Sequence, residues 1–179
     1  MAKVLYTAEA NVTGGRDQGH GKTTDGALDV TLRLPSEMGG DGGGTNPEQL
    51  FAVGYAACFE GALGVVGRRE KVETGDASID SKVSLITTEE RGFNVAVELD
   101  VTLPQVEDPE DAKRIVAEAH KVCPYSNATR GNVEVTLTAN VQPVSAEQPF
   151  LALGLPVAEH PPTAGQLLHG GERDVPRGA

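Results

Sequence analysis

The side chains best placed to do chemistry here are two thiols, Cys58 and Cys123. A thiol acts as a nucleophile only as its thiolate, so its surroundings decide whether it reacts. The two are too few for a secreted disulfide scaffold, and no CxxC pair supports a zinc site or a thioredoxin-type centre. A catalytic or redox-sensing pair remains open, as does the plainer reading of Cys58 as a small buried hydrophobe. Arg16 sits in a glycine-rich loop, where an ordinary solvated arginine is the simplest reading, although loops carry a disproportionate share of function. His120 stands one turn before Cys123, while His160 and His169 lack metal-ligand spacing and read as exposed imidazoles. The run PSEMGGDGGG, residues 35–44, has no GxxxxGK[ST] pattern and no lysine for a phosphate loop. It is a candidate lid.

Cys58 lies within TNPEQLFAVGYAACFEGALGVVG, residues 45–67. Between Leu50 and Val66 only Tyr55, Glu60 and the thiol carry polarity, so apolar residues face nearly every direction and predict a buried central helix. Two start signals compete. Thr45 with Glu48 three residues on makes a capping box, whereas Asn46-Pro47 offers an Asn cap with proline at the first helical position. Gly54, Gly61 and Gly64 weaken such a helix by roughly 3 kcal/mol relative to alanine. With Ala57 they line one face, where another backbone can come close.

Residues 3–12 and 27–34 read as strands joined by a long polar loop. ASIDSKVSLITTEE and FNVAVELDVTLP form an antiparallel pair about a Glu90-Arg91-Gly92 turn, the second alternating through Phe93, Val95, Val97, Leu99, Val101 and Leu103. A second helix opens at Asp108-Pro109 with Ile115, Val116, Ala119 and Val122 as its apolar stripe. It must end near Cys123, because Pro124 disfavours helical geometry in the residue before it. A last strand, VEVTLTANV, follows. Beyond it the composition shifts to proline, glycine and isolated charges, which divides the chain into a domain at 1–142 and a poorly structured tail at 143–179. In that tail only FLALGLPV, residues 150–157, could bury anything.

The chain's 179 residues suit one domain with a sizeable core. A formal charge of -11 and a pI near 4.7 argue against nucleic acid or an anionic membrane surface as partner. MAKVLYTAEA lacks the apolar core of a signal peptide, and no stretch reads as a membrane span of roughly 18 apolar residues. The expectation is a cytoplasmic protein.

The pieces TGGRD near Arg16, TNPEQLFAVGYAACF around Cys58 and HKVCPYSNATRGNVEV around Cys123 resemble, in order and spacing, the organic hydroperoxide resistance (Ohr) branch of the Ohr/OsmC family. The resemblance covers roughly residues 3–141 and leaves the tail without a counterpart. It implies an α+β, OsmC-like homodimer in which antiparallel sheets enclose central helices. It also implies an enzyme that reduces organic hydroperoxides, with Cys58 as peroxidatic cysteine, Cys123 as resolving cysteine, and Arg16 and Glu48 assisting the first. No metal, flavin or haem is bound in such a protein. The reductant is a dithiol, typically a dihydrolipoyl group on a lipoylated protein.

The residue types suit those implied roles. Burial alone would leave Cys58 inert, and a guanidinium nearby would lower its pKa, with Glu48 fixing the orientation of the Arg16 fork. Leu50, Phe51, Tyr55 and Phe59 share the helix with Cys58 and are candidates to line a route for the apolar tail of a hydroperoxide. One distance needs explaining. On a straight helix Glu48 and Cys58 are about 15 Å apart along the axis, too far to share one guanidinium. Either the helix starts after Glu48, or Arg16 and Glu48 serve the Cys58 of a second subunit; a site at a dimer interface is the preferred reading. The rival readings are a non-enzymatic peroxide sensor, a binding protein of the same fold and an OsmC-branch peroxidase.

Overall fold

A computed structural model describes residues 2–140 and 142–144. The chain divides into two compact units, one of residues up to Pro47 and one that begins at Glu48. Most of the tail expected at 143–179 therefore lies outside the described residues.

The first unit is a three-stranded antiparallel sheet in the order β1 (Ala10–Thr13), β2 (Gly19–Thr23), β3 (Asp29–Arg33). A single helical turn, α1 (Gly15–Gln18), joins β1 to β2. Two expectations are corrected here. The strand expected at 3–12 is confined to its C-terminal end, and residues 2–9 have no regular structure, with Val4, Leu5 and Tyr6 exposed. The polar loop expected at 13–26 contains α1 and the central strand. GHGKT offers no apolar alternation, and backbone hydrogen bonds to both neighbours make it a strand. Leu32 is the one buried hydrophobic side chain among the described residues of this unit. The glycine run after β3 is tied down rather than open: Ser36–Met38 forms a 3-10 turn, Gly42 N–H donates to Leu34 O, and Thr45 exchanges backbone hydrogen bonds with Thr31 and Arg33.

The second unit opens with α2, Pro47–Glu70. Proline takes the first helical position, so the Asn46-Pro47 signal sets the start, while Thr45 is bridged to Leu32. Tyr55, Phe59, Ala62, Leu63 and Val66 recur at helical spacing and are buried. On the other side Val53, Ala57 and Gly61 are exposed, so the single chain buries one face of a helix that the sequence makes apolar nearly all round. By length and composition alone α2 could cross a membrane. Its buried face instead belongs to the core, with Leu99, Val101, Ile115 and Leu137.

The sheet of this unit runs β4 (Ser78–Thr87), β5 (Phe93–Thr102), β6 (Glu134–Ala139), β7 (Gln142–Pro143). β4 and β5 form the expected antiparallel pair, with Val83 opposite Val97 and Ile79 opposite Val101. Along β5, Val97, Leu99 and Val101 are buried, as the alternation predicts, and Phe93 at its start is exposed. One pair departs from the antiparallel expectation. β6 lies parallel to β5, because the chain returns through helices before pairing again. The first of these, α3 (Pro109–Val122), starts as expected: Asp108 accepts hydrogen bonds from the N–H groups of Glu110 and Asp111. The second, α4 (Pro124–Thr129), replaces the expected turn. Pro124 closes α3 and also suits the first position of a new helix, which leaves Cys123 at the joint.

Candidate active site

Cys58 comes from the middle of α2 and Cys123 from the α3–α4 joint, and the fold of the second unit brings their sulfurs to 3.5 Å. Both are free thiols. Cys123 is fully buried, whereas Cys58 is half-buried and so the one of the two with access to solvent. That difference gives them different chemical opportunities: a reagent from solvent could reach Cys58 but not Cys123.

Burial is the main influence on the Cys58 thiol and pushes its pKa up, and the neighbouring Cys123 side chain adds to the rise. The backbone N–H of Tyr125 donates to the sulfur and pulls the other way. The net result in the single chain is a thiol above its ordinary value, the opposite of what an activating cation produces.

Beside the sulfurs stands an aromatic group that joins α2 to α4. Phe51 stacks on Tyr125, centroids 5.8 Å apart with an interplanar angle of 18°, and packs edge-on against Tyr55 at 5.7 Å. Tyr55 is also 5.7 Å from Tyr125. Gly54 makes room for this contact, since a Cβ there would lie 3.3 Å from the Tyr125 hydroxyl. The close approach expected on the glycine face is thus made by a side chain at Gly54. At Gly61 an added Cβ would meet nothing within 4 Å.

Of the residues the sequence put forward to line a route, Phe51 and Tyr55 belong to this aromatic group, Leu50 is half-buried on the first turn, and Phe59 is fully buried in the hydrophobic core. Glu48 is in the first turn of α2. Because the helix is unbroken from Pro47 through Cys58, the alternative in which it starts after Glu48 is removed, and the separation of about 15 Å along the axis stands. Arg16 is half-buried on α1 of the first unit. His120 is buried, its pKa lowered to about 4 by burial and then by the charge of Arg130. Its carbonyl accepts a hydrogen bond from Arg130 Nη2 at 3.0 Å.

Sequence reasoning gave no role to Tyr125, Ser126 and Thr129. The available signal was Pro124, whose reading as the start of a helix places all three on one short element next to Cys123.

A half-buried thiol 3.5 Å from a buried one, on an α+β scaffold beside an aromatic group, is an arrangement that could support two-thiol redox chemistry. Known proteins make the identification specific. The family of OsmC-like proteins matches residues 40–138. An organic hydroperoxide resistance protein of Xanthomonas axonopodis pv. citri is 54% identical over 138 residues, which is 76% of this chain and 95% of that protein. The organic hydroperoxide resistance protein OhrB of Bacillus subtilis is 46% identical over 134 residues, 74% and 96% of the two chains. The crystal structure of an organic hydroperoxide resistance protein from Legionella pneumophila superposes with a TM-score of 0.73 at 51% identity, covering 78% of this chain and all of that one. The chain belongs to the OsmC family, in its organic hydroperoxide resistance branch.

Proposed function

We propose that the protein is a thiol peroxidase that reduces organic hydroperoxides to alcohols. The single observation that carries this reading is the pair of free thiols 3.5 Å apart, the outer one beside the aromatic group of Phe51, Tyr55 and Tyr125. The Cys58 thiolate attacks the O–O bond, takes one oxygen as sulfenic acid and releases the alcohol. The Cys123 thiol then condenses with the sulfenic acid, giving a Cys58–Cys123 disulfide and water. A dithiol, in this reading the dihydrolipoyl group of a lipoylated protein, reduces the disulfide by exchange. The apolar tail of the hydroperoxide rests on the accessible Phe51 and Tyr125 rings, backed by the buried Tyr55, where each methylene buried contributes about 0.8 kcal/mol. The protein acts in the cytoplasm.

Activation of Cys58 requires a cation, because burial raises its pKa. Arg16 supplies it, oriented by Glu48, at the interface of a homodimer in which these two residues serve the Cys58 of the other subunit. Two features support that assembly: the exposed apolar stripe Val53, Ala57 and Gly61 on α2, and the exposed Val4, Leu5 and Tyr6. Light scattering at micromolar concentration should give a dimer mass, and a monomer would refute this arrangement.

The enzyme reading is tested by following consumption of cumene hydroperoxide with dihydrolipoamide present. Sustained turnover is expected from the native protein and none from Cys58→Ser. Cys123→Ser should react once and then collect sulfenic and higher acids. A single stoichiometric oxidation of the native protein, with no turnover, would mark a peroxide sensor instead.

A further inference from the structure

We propose that Tyr55 is a positioning residue for disulfide formation: its buried hydroxyl pins α4 to α2, and through α4 it holds Cys123 against Cys58. The pin rests on geometry alone, and its place in a catalytic cycle rests on the peroxidase reading above.

Tyr55 precedes Cys58 by three residues, so both side chains leave α2 on the same side. The tyrosine is fully buried, and its hydroxyl donates to Ser126 Oγ at 3.0 Å and lies 3.2 Å from Thr129 Oγ1. Ser126 and Thr129 are three apart on α4 and themselves buried, so the face of α4 turned to α2 carries the two hydroxyls that meet the phenol. Thr129 Oγ1 also donates to the Tyr125 carbonyl at 2.9 Å, which ties the cluster to the residue whose N–H reaches the Cys58 sulfur. Cys123 immediately precedes α4. The far side of that joint has its own tie, from Arg130 to the carbonyl of His120 at the end of α3. A phenylalanine at position 55 would fill the same space against Phe51 and Tyr125, so the phenol oxygen is needed for its partners and not for volume.

The chemistry gives this tie a function. When Cys123 displaces hydroxide from the Cys58 sulfenic acid, the S–S bond forms, the S–O bond breaks, and the Cys123 proton leaves with the hydroxide as water. The sulfurs must close from 3.5 Å to about 2.05 Å. Slack in α4 lowers the effective concentration of one sulfur at the other.

The test equilibrates the native protein, Tyr55→Phe and Ser126→Ala with set ratios of reduced and oxidised dithiothreitol, and quantifies the Cys58–Cys123 disulfide by mass spectrometry. Tyr55→Phe should lower the disulfide equilibrium constant about tenfold, as loss of a buried hydrogen bond predicts. Ser126→Ala, which keeps the Thr129 contact, should lower it less, and it serves alone if Tyr55→Phe does not fold. A single pulse of cumene hydroperoxide should leave more sulfenic and sulfinic acid on Cys58 in both variants than in the native protein. A fall in thermal stability with an unchanged disulfide equilibrium would reduce Tyr55 to a packing role and overturn the proposal. If the native protein ignores the hydroperoxide, the peroxidase reading fails, while the dithiothreitol equilibrium still decides the pin.

Discussion

The two units of this chain are held together by different means. The second has a continuous core of Tyr55, Phe59, Leu63, Leu99, Ile115 and Leu137, drawn from α2, β5, α3 and β6. The first is a hairpin sheet stabilised by its backbone ladder, with Leu32 as its buried hydrophobic side chain and Val12 and Leu28 exposed. A small sheet without an apolar face against something is at best marginally stable in water. The contrast teaches where this molecule's chemistry and its dependence lie. Both thiols and the groups that hold them belong to the unit with the continuous core, whereas Arg16, the proposed source of activating charge, belongs to the one whose described residues bury a single hydrophobic side chain.

The largest expected effect tests whether the weaker unit matters to the chemistry at all. Arg16→Ala should slow peroxide reduction at neutral pH by about 10- to 1,000-fold, because the Cys58 thiol loses the cation proposed to hold its pKa down. The sign is fixed by the nucleophile: below its pKa the thiolate fraction rises about tenfold per pH unit. The variant's rate should therefore climb with pH and recover part of the loss in alkaline buffer. A pH–rate profile that coincides with that of the native protein would mean that the first unit contributes no charge to Cys58.

Stability sharpens the comparison next. Leu63→Ala, in the core of the second unit, should cost about 2–5 kcal/mol in urea unfolding. Val12→Ala is exposed in the single chain and should cost within about 0.5 kcal/mol. A larger loss at Val12 that grows with protein concentration would show that a second copy covers this sheet.

These differences explain which parts were legible in advance. β4, β5 and α3 belong to the unit with a core, and burial imposes periodicity, so Val97, Leu99 and Val101 or Ile115, Val116 and Ala119 announce their elements. Asn46-Pro47 and Asp108-Pro109 announced the helix starts, because capping is local chemistry. β2 was hidden, since GHGKT is made a strand by its two neighbours and has almost nothing apolar of its own to display. α4, with six residues, is too short for a period. The two cysteines were legible as candidates by type alone. Their separation of 3.5 Å was not, because Cys123 reaches Cys58 from the α3–α4 joint, and α4, whose Ser126 and Thr129 meet the Tyr55 hydroxyl, has no periodic signature in the sequence.

A smaller effect concerns acid. His120 is buried in the second unit with a pKa of about 4 and would titrate near 6.5 when unfolded. Between these values the unfolded chain binds the extra proton, so stability is lost as pH falls from about 6.5 to about 4, by at most about 3 kcal/mol. Urea unfolding at pH 7 and pH 4.5 should show the loss, and His120→Leu should remove this part of it. An identical pH dependence in the variant would mean that carboxylates account for the whole.

The smallest expected effect is at the end of the chain. β7 pairs with β6 through Gln142 and Pro143, and Val144 N–H donates to Leu137 O, so the last described contacts of the second unit extend just past the expected boundary at 142. Every strand pair described above and both thiols lie before Ser145. Truncation after Val144 should therefore leave unfolding free energy within about 0.5 kcal/mol and peroxide reduction within about twofold of the full chain. Truncation after Val141 should cost more, because it removes the pairing partners of Thr138 and Ala139. The two truncations also separate two explanations for any loss. If both lose activity equally, residues beyond 144 contribute to the site, and FLALGLPV, the only apolar run there, is the segment to replace with polar residues first. If only the shorter one suffers, the β6 edge is what matters, and its closeness to the core residues Leu137 and Ala139 is the reason.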